Sequence, residues 1–451
     1  MTTGLGGIRR DARHGEQLIS SQPWSASRRA GTGPCRDACA VGVAEGGSTI
    51  AVVGIGADGW AGLAPASRAA LAGADVVLGG PRQLDLLPAD VRAERRAWPS
   101  PLVPALPGIL DELADGRVAV LASGDPMFFG IGATLARVAG AERLRVLPHP
   151  SSLSLACARL GWALDGVEML SVVGRPVDAL TRRLAPGVRV LVLSAGVDSP
   201  SDIAKTVTAR GFGPSAMSVL EDLGGVGERV VHGTAADWSG PCAPLNLVGL
   251  ECAAEPGARL LGETPGLPDD AYETDGQLTK REVRAVTLAH LAPRPGELLW
   301  DVGAGTGSVG IEWMRAHRGC RAVAVEARAD RAERIAANAA TLGVPGLRVV
   351  TGSAPEALDG LPAPDAVFVG GGLTSHGVLD RALATGARVV ANAVTVQTEA
   401  ALADAHARHG GTLVRVQVGR AEPLGGYSGF SGWRQSMPVT IWSAGPGGGT
   451  P

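Results

Sequence analysis

The sequence predicts an α/β fold in which a two-lobed domain precedes a Rossmann-like domain. From Thr49 onward, short β-branched runs alternate with stretches of helical length that are rich in Ala, Leu and Arg. This alternation is typical of a mostly parallel sheet covered by helices. It stops at 253–277, a segment rich in Pro, Gly and acids, and then begins again. Such a break indicates the main domain boundary.

The composition is that of a globular protein and argues against several classes of function. The 451 residues are 45% hydrophobic and carry a formal net charge of −3, so wrapping of nucleic acid through bulk positive charge is not expected. No apolar run reaches the ~18 residues that span a bilayer. The six cysteines form no CxxC pair. This predicts reduced thiols in a cytoplasmic protein, without a disulfide framework or a metal site.

The pattern divides the chain into five predicted segments. Residues 1–48 lack sustained periodicity and are predicted to be a disordered extension or the product of a start site placed too early. Residues 49–252 form the first domain, 253–274 a linker and 275–443 the second domain. The Gly-rich end, 444–451, is predicted to be a flexible tail.

The first domain is predicted to contain two successive runs of elements. The first run alternates strand and helix, whereas the second, after Pro150, holds more strand, and several of its strands look adjacent. The second lobe should therefore be mixed rather than purely parallel. The predicted strands are TIAVVGIG, ADVVLG, RVAVLASG, LRVLPH, VEMLSVVG, VRVLVLSA, SAMSVLED, GERVVHG and LNLVGLE, with helices at 65–73, 106–114, 130–139, 151–161 and 200–210.

The second domain is predicted to alternate strand and helix and to end in a hairpin. GTLVRVQVGR and MPVTIWSA, which a glycine-rich segment joins, should pair antiparallel at a sheet edge. The preceding strands are LLWDVG, AVAVEA, LRVVTG, DAVFVGG and ARVVANA, and the helices lie at 280–291, 308–317, 328–342, 353–359, 373–384 and 397–409.

The strand LLWDVG runs into a glycine loop with acidic neighbours. Asp301 ends the strand, two residues before the first of the alternating glycines Gly303, Gly305 and Gly307. A buried carboxylate ~4–6 Å from a diphosphate would repel it at an effective dielectric near 20, and would attract an ammonium or sulfonium to a similar extent. The loop is therefore predicted to bind S-adenosylmethionine. Glu326, which ends the next strand, can accept the ribose hydroxyls of such a ligand.

Residues 275–442 resemble a class I methyltransferase, and the motifs DGQLTKREVR, SAPEAL, FVGGG and ANAVTVQT resemble the decarboxylating precorrin methyltransferases that act on carbon 15 of the corrin macrocycle. The resemblance implies a cofactor site made by a threonine, the glycine loop, the ribose acid and the pair before PEAL. These residues are Thr279, Gly303, Ala304, Gly305, Thr306, Gly307, Glu326, Ser353 and Ala354. The family commonly has an acid where this chain has Ser353.

VVGIGADG, near the start of the first domain, spells a dinucleotide-binding motif. Gly54, Gly56 and Gly59 give GxGxxG after a strand, and Asp75 lies about 20 residues on, as in an NAD site. A single match of this kind is weak evidence, and the motifs that follow it point elsewhere.

LASGDPMFFGIG and PHPSSLSLACARLG resemble the tetrapyrrole methylases, whose GDP-bearing loop and Ser-rich turn hold S-adenosylmethionine in a cleft between two α/β lobes. The first loop of that family usually reads GxGPG, whereas Ala57 stands here in place of the proline. The resemblance covers about residues 49–252 and implies cofactor contacts from Gly124, Asp125, Pro126, Ser151, Ser152, Gly196 and Asn246. Ser151 is also a candidate helix N-cap.

A carbon-5 tetrapyrrole methylase fused ahead of a carbon-15 methyltransferase resembles the two-domain precorrin methyltransferases of the aerobic cobalamin pathway. The resemblance implies one S-adenosylmethionine per domain and a corrinoid substrate. The implied reaction methylates precorrin-6B at carbons 5 and 15, with loss of CO2 from the ring C acetate, and gives precorrin-8X. It also implies a homo-oligomer.

A macrocycle with many carboxylates needs cationic partners. Candidates lie just before the glycine loop and between the last two strands: Lys280, Arg281, Arg284, Arg420, Tyr427 and Arg434. Methyl transfer from a sulfonium is an in-line displacement that needs alignment and exclusion of water rather than a strong base. No catalytic residue is therefore predicted.

Two other hypotheses stay open. An NAD(P)-linked two-domain oxidoreductase would account for the GxGxxG loop and for Glu326, but would place a diphosphate beside Asp301. Alternatively, only the second domain is active and the first presents the substrate, as the missing proline at Ala57 suggests. The number of S-adenosylmethionine molecules bound per chain distinguishes the three hypotheses.

Overall fold

A computed structural model of the chain describes residues 49–423, 425, 429 and 431–445. The predicted extension 1–48, the tail from 446 onward and Tyr427 lie outside these residues. Within the described part of the chain, no helix combines the length and the apolar character needed to cross a bilayer.

The first lobe is a parallel sheet covered by helices, as predicted. Its elements are β1 (Ile50–Ile55), α1 (Gly59–Gly62), α2 (Pro65–Ala72), β2 (Val76–Gly79), α3 (Pro81–Asp85), β3 (Glu94–Ala97), α4 (Leu102–Glu112), β4 (Val118–Ser123), α5 (Ile131–Ala139) and β5 (Leu144–Leu147). The strand order is β3-β2-β4-β1-β5. Consecutive residues of β1 and β4 are buried, as expected for central strands with helices on both faces.

Strand β3 was not predicted. Its sequence, ERRA, is charged and mostly exposed, and it lies at the edge of the sheet. Charged side chains are tolerated at an edge, where they also discourage pairing with other chains. An apolar pattern therefore cannot reveal such a strand.

The second lobe is a mixed sheet, which confirms the prediction. Its elements are α6 (Ser152–Leu160), β6 (Val167–Ser171), β7 (Arg189–Leu193), α7 (Ser199–Ala209), β8 (Ala216–Glu221), β9 (Arg229–Thr234) and β10 (Asn246–Glu251). In the order β6-β7-β10-β8-β9, β6 and β7 are parallel and the remaining neighbours are antiparallel.

The second domain is a seven-stranded sheet with an added hairpin. Its elements are α8 (Arg281–Leu291), β11 (Leu298–Val302), α9 (Ser308–Ala316), β12 (Arg321–Glu326), α10 (Ala329–Thr341), β13 (Arg348–Thr351), β14 (Ala366–Val369), α11 (Val378–Leu383), β15 (Arg388–Ala393), α12 (Val396–His409), β16 (Thr412–Val416), β17 (Gly419–Pro423), β18 (Ser431–Gln435) and β19 (Val439–Ala444). The order is β13-β12-β11-β14-β15-β19-β16, and β17 pairs with β18 separately.

The end of this domain differs in detail from the prediction. The last strand, β19, pairs antiparallel with β16 as predicted, but it lies between β15 and β16. The run GTLVRVQVGR is split into β16 and β17, and β17 forms its own hairpin with β18. The predicted helix 353–359 is only a short 3-10 turn at Glu356–Leu358. The predicted helix 373–384 begins only at Val378, because Gly377 before it has a left-handed φ of +80°.

The segment before the second domain is packed rather than extended. Leu267 and Tyr272 are buried in the core of the second domain. The buried carboxylate of Glu312 accepts hydrogen bonds from the Leu267 N–H (3.0 Å), the Tyr272 hydroxyl (2.8 Å) and the Arg284 Nε–H (2.5 Å). Residues assigned by sequence to the linker 253–274 thus belong to this core.

Arg284 holds the segment in place. It is fully buried and also donates to the carbonyl oxygens of Leu267 and Thr279. Its guanidinium is therefore occupied inside the protein, and the expectation that it binds substrate is not supported by its position.

We expect Arg284→Met to destabilise the second domain by about 3–5 kcal/mol, because it leaves the Glu312 carboxylate buried without its cation. Urea unfolding measures the loss. The matched control is Arg96→Met, which removes an exposed ion pair with Glu112 and should change stability little. Equal effects of the two substitutions would contradict the structural role of Arg284.

Candidate functional site

A cavity of about 800 Å³, here called the loop cavity, opens beyond the carboxyl ends of β11, β12 and β14. β11 lies between β12 and β14, so the strand order reverses there, and open α/β sheets bind ligands at such a point. Of the predicted cofactor residues, those that line the cavity are Thr279, Gly303, Ala304, Gly305, Thr306, Glu326, Ser353 and Ala354.

Glycine is required where two backbones meet at this cavity. Gly303 has a φ of +66°, and a Cβ on it would lie 2.6 Å from the Cα of Gly371. The glycine loop and the FVGGG motif therefore pack backbone against backbone. Gly307 does not line the cavity; it precedes α9 with a φ of +75°, and a Cβ there would meet Ile335 at 2.7 Å.

Glu326 is fixed at the wall of the loop cavity. Its side chain is buried, and its carboxylate accepts hydrogen bonds from the Gly305 N–H (2.8 Å) and the Arg328 N–H (3.1 Å). The bond from Gly305 joins the acid at the end of β12 to the glycine loop after β11, and the bond from Arg328 is local. The carboxylate is thus held at the cavity wall, and its contact with a ribose stays a prediction.

Asp301, also predicted to bind cofactor, is not among the residues that line the cavity. It is 1% exposed and lies under the first turn of α9, where Oδ2 accepts from the Gly310 N–H at 2.8 Å. Its Oδ1 is buried and has no hydrogen-bond partner among the described residues. Burial raises the pKa of Asp301 to about 7; the Gly310 N–H opposes this shift, and the nearby Glu326 charge adds to it.

The charges around the loop cavity favour a cation over a diphosphate. Among the described residues that line it, Glu326 carries the negative charge and Arg331 the positive charge. The Arg331 side chain already donates a hydrogen bond to the Asp275 carboxylate at 2.8 Å. The buried carboxyl group of Asp301, whose Oδ1 lacks a partner among the described residues, lies behind the glycine loop. A diphosphate would be repelled by Glu326 and by Asp301 in its ionised form, whereas the ammonium and sulfonium of S-adenosylmethionine would be attracted and would favour the ionised form of Asp301. The site therefore fits S-adenosylmethionine.

A second cavity of about 390 Å³, here called the rim pocket, adjoins the loop cavity. Lys280, Arg420 and Arg434, three of the predicted substrate cations, line it, whereas Arg281 and Arg284 do not. Five uncharged residues line both cavities and are here called the shared wall: Leu278, Thr279, Gly370, Val394 and Met437.

The cations of the rim pocket are paired with acids at the surface. Arg420 contacts Glu282 at 2.6 Å, and the two other pairs are Arg434 with Glu422 at 3.2 Å and Lys280 with Asp269 at 3.8 Å. Exposed pairs of this kind are weak. Carboxylates of a ligand can therefore replace these acids.

A third cavity of about 260 Å³, here called the cleft cavity, lies between the two lobes of the first domain. Strand ends of both sheets form its walls. Five predicted cofactor residues line it, namely Gly124, Asp125, Ser151, Ser152 and Asn246, whereas Pro126 and Gly196 do not.

The GDP loop and the Ser-rich turn pack closely at this cleft. Gly124 has a φ of +59°, and a Cβ on it would lie 3.1 Å from the Cα of Ser151. Asp125 folds the loop by accepting from the Met127 N–H at 2.9 Å. Ser151 is the N-cap of α6, with its hydroxyl accepting from the Ser154 N–H at 3.1 Å. Ser151 thus caps a helix and also faces the cavity.

Two buried polar atoms at the cleft lack partners. Asn246 donates from Nδ2 to the carbonyl oxygens of Ala243 (2.8 Å) and Gly196 (3.2 Å). Its Oδ1 and the Ser194 hydroxyl have no partner among the described residues, although both residues line the cavity. Buried polar atoms are rarely left unpaired. They therefore suit a ligand that carries hydrogen-bond donors, and Gly196 contributes by orienting Asn246.

The first two glycines of the GxGxxG loop in the first domain pack against other parts of the chain. A Cβ on Gly54 would overlap the carbonyl oxygen of Gly124, and one on Gly56 would lie 2.8 Å from Nε2 of His149. The chain itself therefore fills the positions that a Cβ would take at these glycines, while Gly56 also lines the cleft cavity. Asp75 precedes β2 and pairs with Arg117 at 2.6 Å, at the end of the strand opposite to that of a ribose acid.

Several residues at the cavities were missed from sequence. Phe128 and Phe129 line the cleft cavity while 38% and 48% exposed, with their rings edge to face at 4.9 Å. Phe129 has a φ of +53°, a strained conformation for a residue other than glycine. Arg82 lines the same cavity. Two adjacent aromatic residues inside a glycine- and proline-containing loop were the available signal.

Comparison with models of protein families matches both halves of the chain. Residues 49–238 match the tetrapyrrole (corrin/porphyrin) methylases, and residues 270–445 match the precorrin methyltransferase domain. The α/β fold of two methyltransferase domains is confirmed.

Individual relatives match both domains of this chain within one protein. A precorrin-6Y C(5,15)-methyltransferase (decarboxylating) of Sinorhizobium sp. is 50% identical over 398 residues, which cover 87% of this chain and 95% of that protein. A protein of the same name from Mycobacterium tuberculosis is 46% identical, with 87% and 99% covered. A crystal structure of the C-terminal domain of precorrin-6Y C5,15-methyltransferase from Rhodobacter capsulatus is 50% identical, covers 41% of this chain and 98% of that one, and has a TM-score of 0.38. Because half of the aligned residues are identical to those of the Sinorhizobium protein and the alignment covers 95% of that protein, this chain belongs to the family of precorrin-6Y C(5,15)-methyltransferases (decarboxylating).

Proposed function

We propose that the chain methylates precorrin-6B at carbons 5 and 15 and releases CO2 from its ring C acetate, giving precorrin-8X in cobalamin biosynthesis. The observation that carries the proposal is the pair of separate cavities, one in each domain, lined by the motif residues of two different methyltransferase families. The relatives that span both domains are named for both methylations and for decarboxylation.

Each domain is proposed to bind its own methyl donor. When bound, S-adenosylmethionine supplies an electrophilic methyl group on a sulfonium. In the second domain Glu326 would accept the ribose hydroxyls, with Ser353 nearby for the adenine, and the field of Asp301 would favour the positive charge. In the first domain the unpaired oxygen of Asn246 would accept from the adenosine, and Gly124 would allow the close approach of the amino-acid end.

The remaining work of the protein is positioning. Methyl transfer to a macrocycle carbon needs an in-line approach and exclusion of water. In the second domain the cations of the rim pocket, Lys280, Arg420 and Arg434, would fix the peripheral carboxylates of the substrate. In the first domain Phe128 and Phe129 offer an apolar face to a flat macrocycle, and Arg82 offers a cation beside it.

The oligomeric state and the cellular location of the protein stay predictions. The family resemblance implies a homo-oligomer, which sedimentation of the purified protein would detect. The cysteine usage implies a cytoplasmic location, which fractionation of cells would test.

The direct test is to incubate the protein with precorrin-6B and S-adenosylmethionine that carries a labelled methyl group. We expect two labelled methyl groups per macrocycle and one CO2, because each domain contributes one transfer. Mass spectrometry of the product and trapping of the gas measure both. Reduction of NAD(P) without methyl transfer would instead support an oxidoreductase.

Donor stoichiometry tests whether both domains bind a cofactor. Calorimetry should find two S-adenosylmethionine molecules per chain in the wild type and one in Gly303→Ala, because the added Cβ overlaps the backbone at Gly371. The matched control is Gly360→Ala, since Gly360 also has a left-handed φ, of +71°, but has no atom within 4 Å of the added Cβ. This variant should keep two sites. A single site in the wild type would indicate that the first domain only presents substrate.

Asp301→Asn tests the buried charge. The native pKa of about 7 lies above the ordinary 3.8, so the native state holds this proton more tightly than the unfolded chain does. The resulting stability is complete below pH ~4 and is lost as the pH rises to ~7. Relative to the variant, the wild type should therefore lose about 3 kcal/mol of unfolding free energy between pH 5 and pH 8.

The same variant should bind S-adenosylmethionine at the second site at least ~10-fold more weakly at pH 8, because the donor's cation loses an ionised partner. Urea unfolding at the two pH values and calorimetry measure the two effects. The electrostatic role of Asp301 would be refuted by a variant that binds the donor normally and shows the pH dependence of the wild type.

A further inference from the structure

We infer that the shared wall of the second domain receives the acetate that loses CO2, while the rim pocket holds the other carboxylates of the substrate. The inference rests on the proposed function and assigns the decarboxylation to particular residues. Its basis is the separation of apolar and cationic groups within two adjoining cavities.

The shared wall presents apolar side chains that a folded protein normally buries. Val394 and Met437 are 55% and 67% exposed, and both line the loop cavity as well as the rim pocket. Exposed apolar surface that lines a cavity commonly marks a binding site. These two side chains are thus placed between the proposed donor and the proposed substrate.

The charged side chains of the rim pocket lie outside the shared wall. Lys280, Arg420 and Arg434 line the rim pocket but not the loop cavity, and so do Glu282 and Glu422, the acids that pair with the two arginines. None of the five residues of the shared wall carries a charge. A polycarboxylate seated here would therefore have cationic partners at its periphery and an apolar surface next to the proposed donor.

This separation suits the chemistry of decarboxylation. A cation beside the reacting carboxylate stabilises the ground state, whereas transfer from water to an apolar surface destabilises the localised charge relative to the dispersed charge of the transition state. The bond from the methylene to the carboxylate carbon breaks, CO2 leaves, and the electron pair enters the conjugated macrocycle. The methylene then takes up one proton and becomes a methyl group.

Methyl transfer completes the balance of atoms and protons in the proposed reaction. The new bond joins the methyl carbon to carbon 15, and this carbon releases its proton to solvent while the sulfonium becomes a neutral thioether. One proton is consumed and one is released. Because carbon 15 is the bridge next to ring C, a macrocycle with carbon 15 at the loop cavity also has ring C close to that cavity.

Substitutions at Met437 test the shared wall. With saturating S-adenosylmethionine, we expect the kcat for CO2 release to fall at least ~10-fold in Met437→Lys and by less in Met437→Gln, because each polar group stabilises the acetate before it reacts. The KM for the substrate should not rise. Met437→Leu, which keeps the wall apolar, should behave as the wild type.

Two further variants distinguish the effect of the shared wall from effects of the nearby surface and of the rim pocket. Val396→Lys places the same charge on a 79% exposed valine that lines neither cavity, and it should leave CO2 release unchanged. Arg420→Gln, in the rim pocket, should raise the KM at least ~10-fold while keeping the kcat, because its partner is a carboxylate that does not react.

The outcomes distinguish this inference from the proposed function. A wild type that releases no CO2 and transfers no methyl group refutes the proposed function. A wild type that does both, together with a Met437→Lys variant that matches Val396→Lys, refutes the shared wall alone. The assignment is also overturned if Met437→Lys raises only the KM while Arg420→Gln lowers the kcat.

Discussion

Negative charge at the carboxyl ends of β11 and β12 determines what the second domain can bind. Glu326 is held at the cavity wall by two backbone N–H groups, and Asp301 is buried behind the loop with one oxygen unpaired. An unpaired buried carboxylate destabilises a fold unless something else compensates it. Such a carboxylate at the point where the strand order reverses is explained if the cation of a ligand completes the site. The glycine loop donates to Glu326 through the Gly305 N–H, packs against Gly371 of the FVGGG run, and leads into α9, whose Gly310 N–H holds Asp301.

The two domains offer different chemistry to the same proposed ligand. Glu326 lines the loop cavity and Asp301 is buried behind the glycine loop, whereas the residues that line the cleft cavity include Arg82, Asp125 and Asn246, whose Oδ1 is unpartnered among the described residues. The two glycine loops are alike in their packing. A Cβ on Gly303 would meet the Cα of Gly371, and a Cβ on Gly54 would meet the carbonyl oxygen of Gly124. Each loop therefore packs backbone against backbone with a second loop of its own domain.

Sequence revealed the features that depend on local pattern. Apolar runs located the central strands, and the glycine loop with Glu326 located a cavity at the correct end of the sheet. Features that depend on distant partners were missed. Arg284 looked like a surface cation because it follows Lys280 and Arg281, yet its partner Glu312 lies on another helix. Asp301 was placed beside the ligand, although its side chain turns toward Gly310 and lies behind the loop.

The shared wall also could not be predicted from sequence, because it depends on residues that are distant in the chain. Val394 and Met437 lie in different segments, and nothing in either segment indicates that their side chains meet at one boundary. The folded sheet brings them together because β15 and β19 are neighbours, although their sequences are more than 40 residues apart. Cationic and apolar surfaces of a substrate pocket are therefore separated by the fold rather than by any sequence motif.

Competition between ligands of opposite charge tests the central claim most directly. S-adenosylmethionine and NADH share an adenosine but differ in the charge next to it, so displacement of one by the other at the loop cavity reports the electrostatic preference of the site. Calorimetric titration of the protein with each ligand, alone and in the presence of the other, measures it. We expect S-adenosylmethionine to bind and NADH to leave it in place. Tighter binding of NADH at the loop cavity would contradict the account.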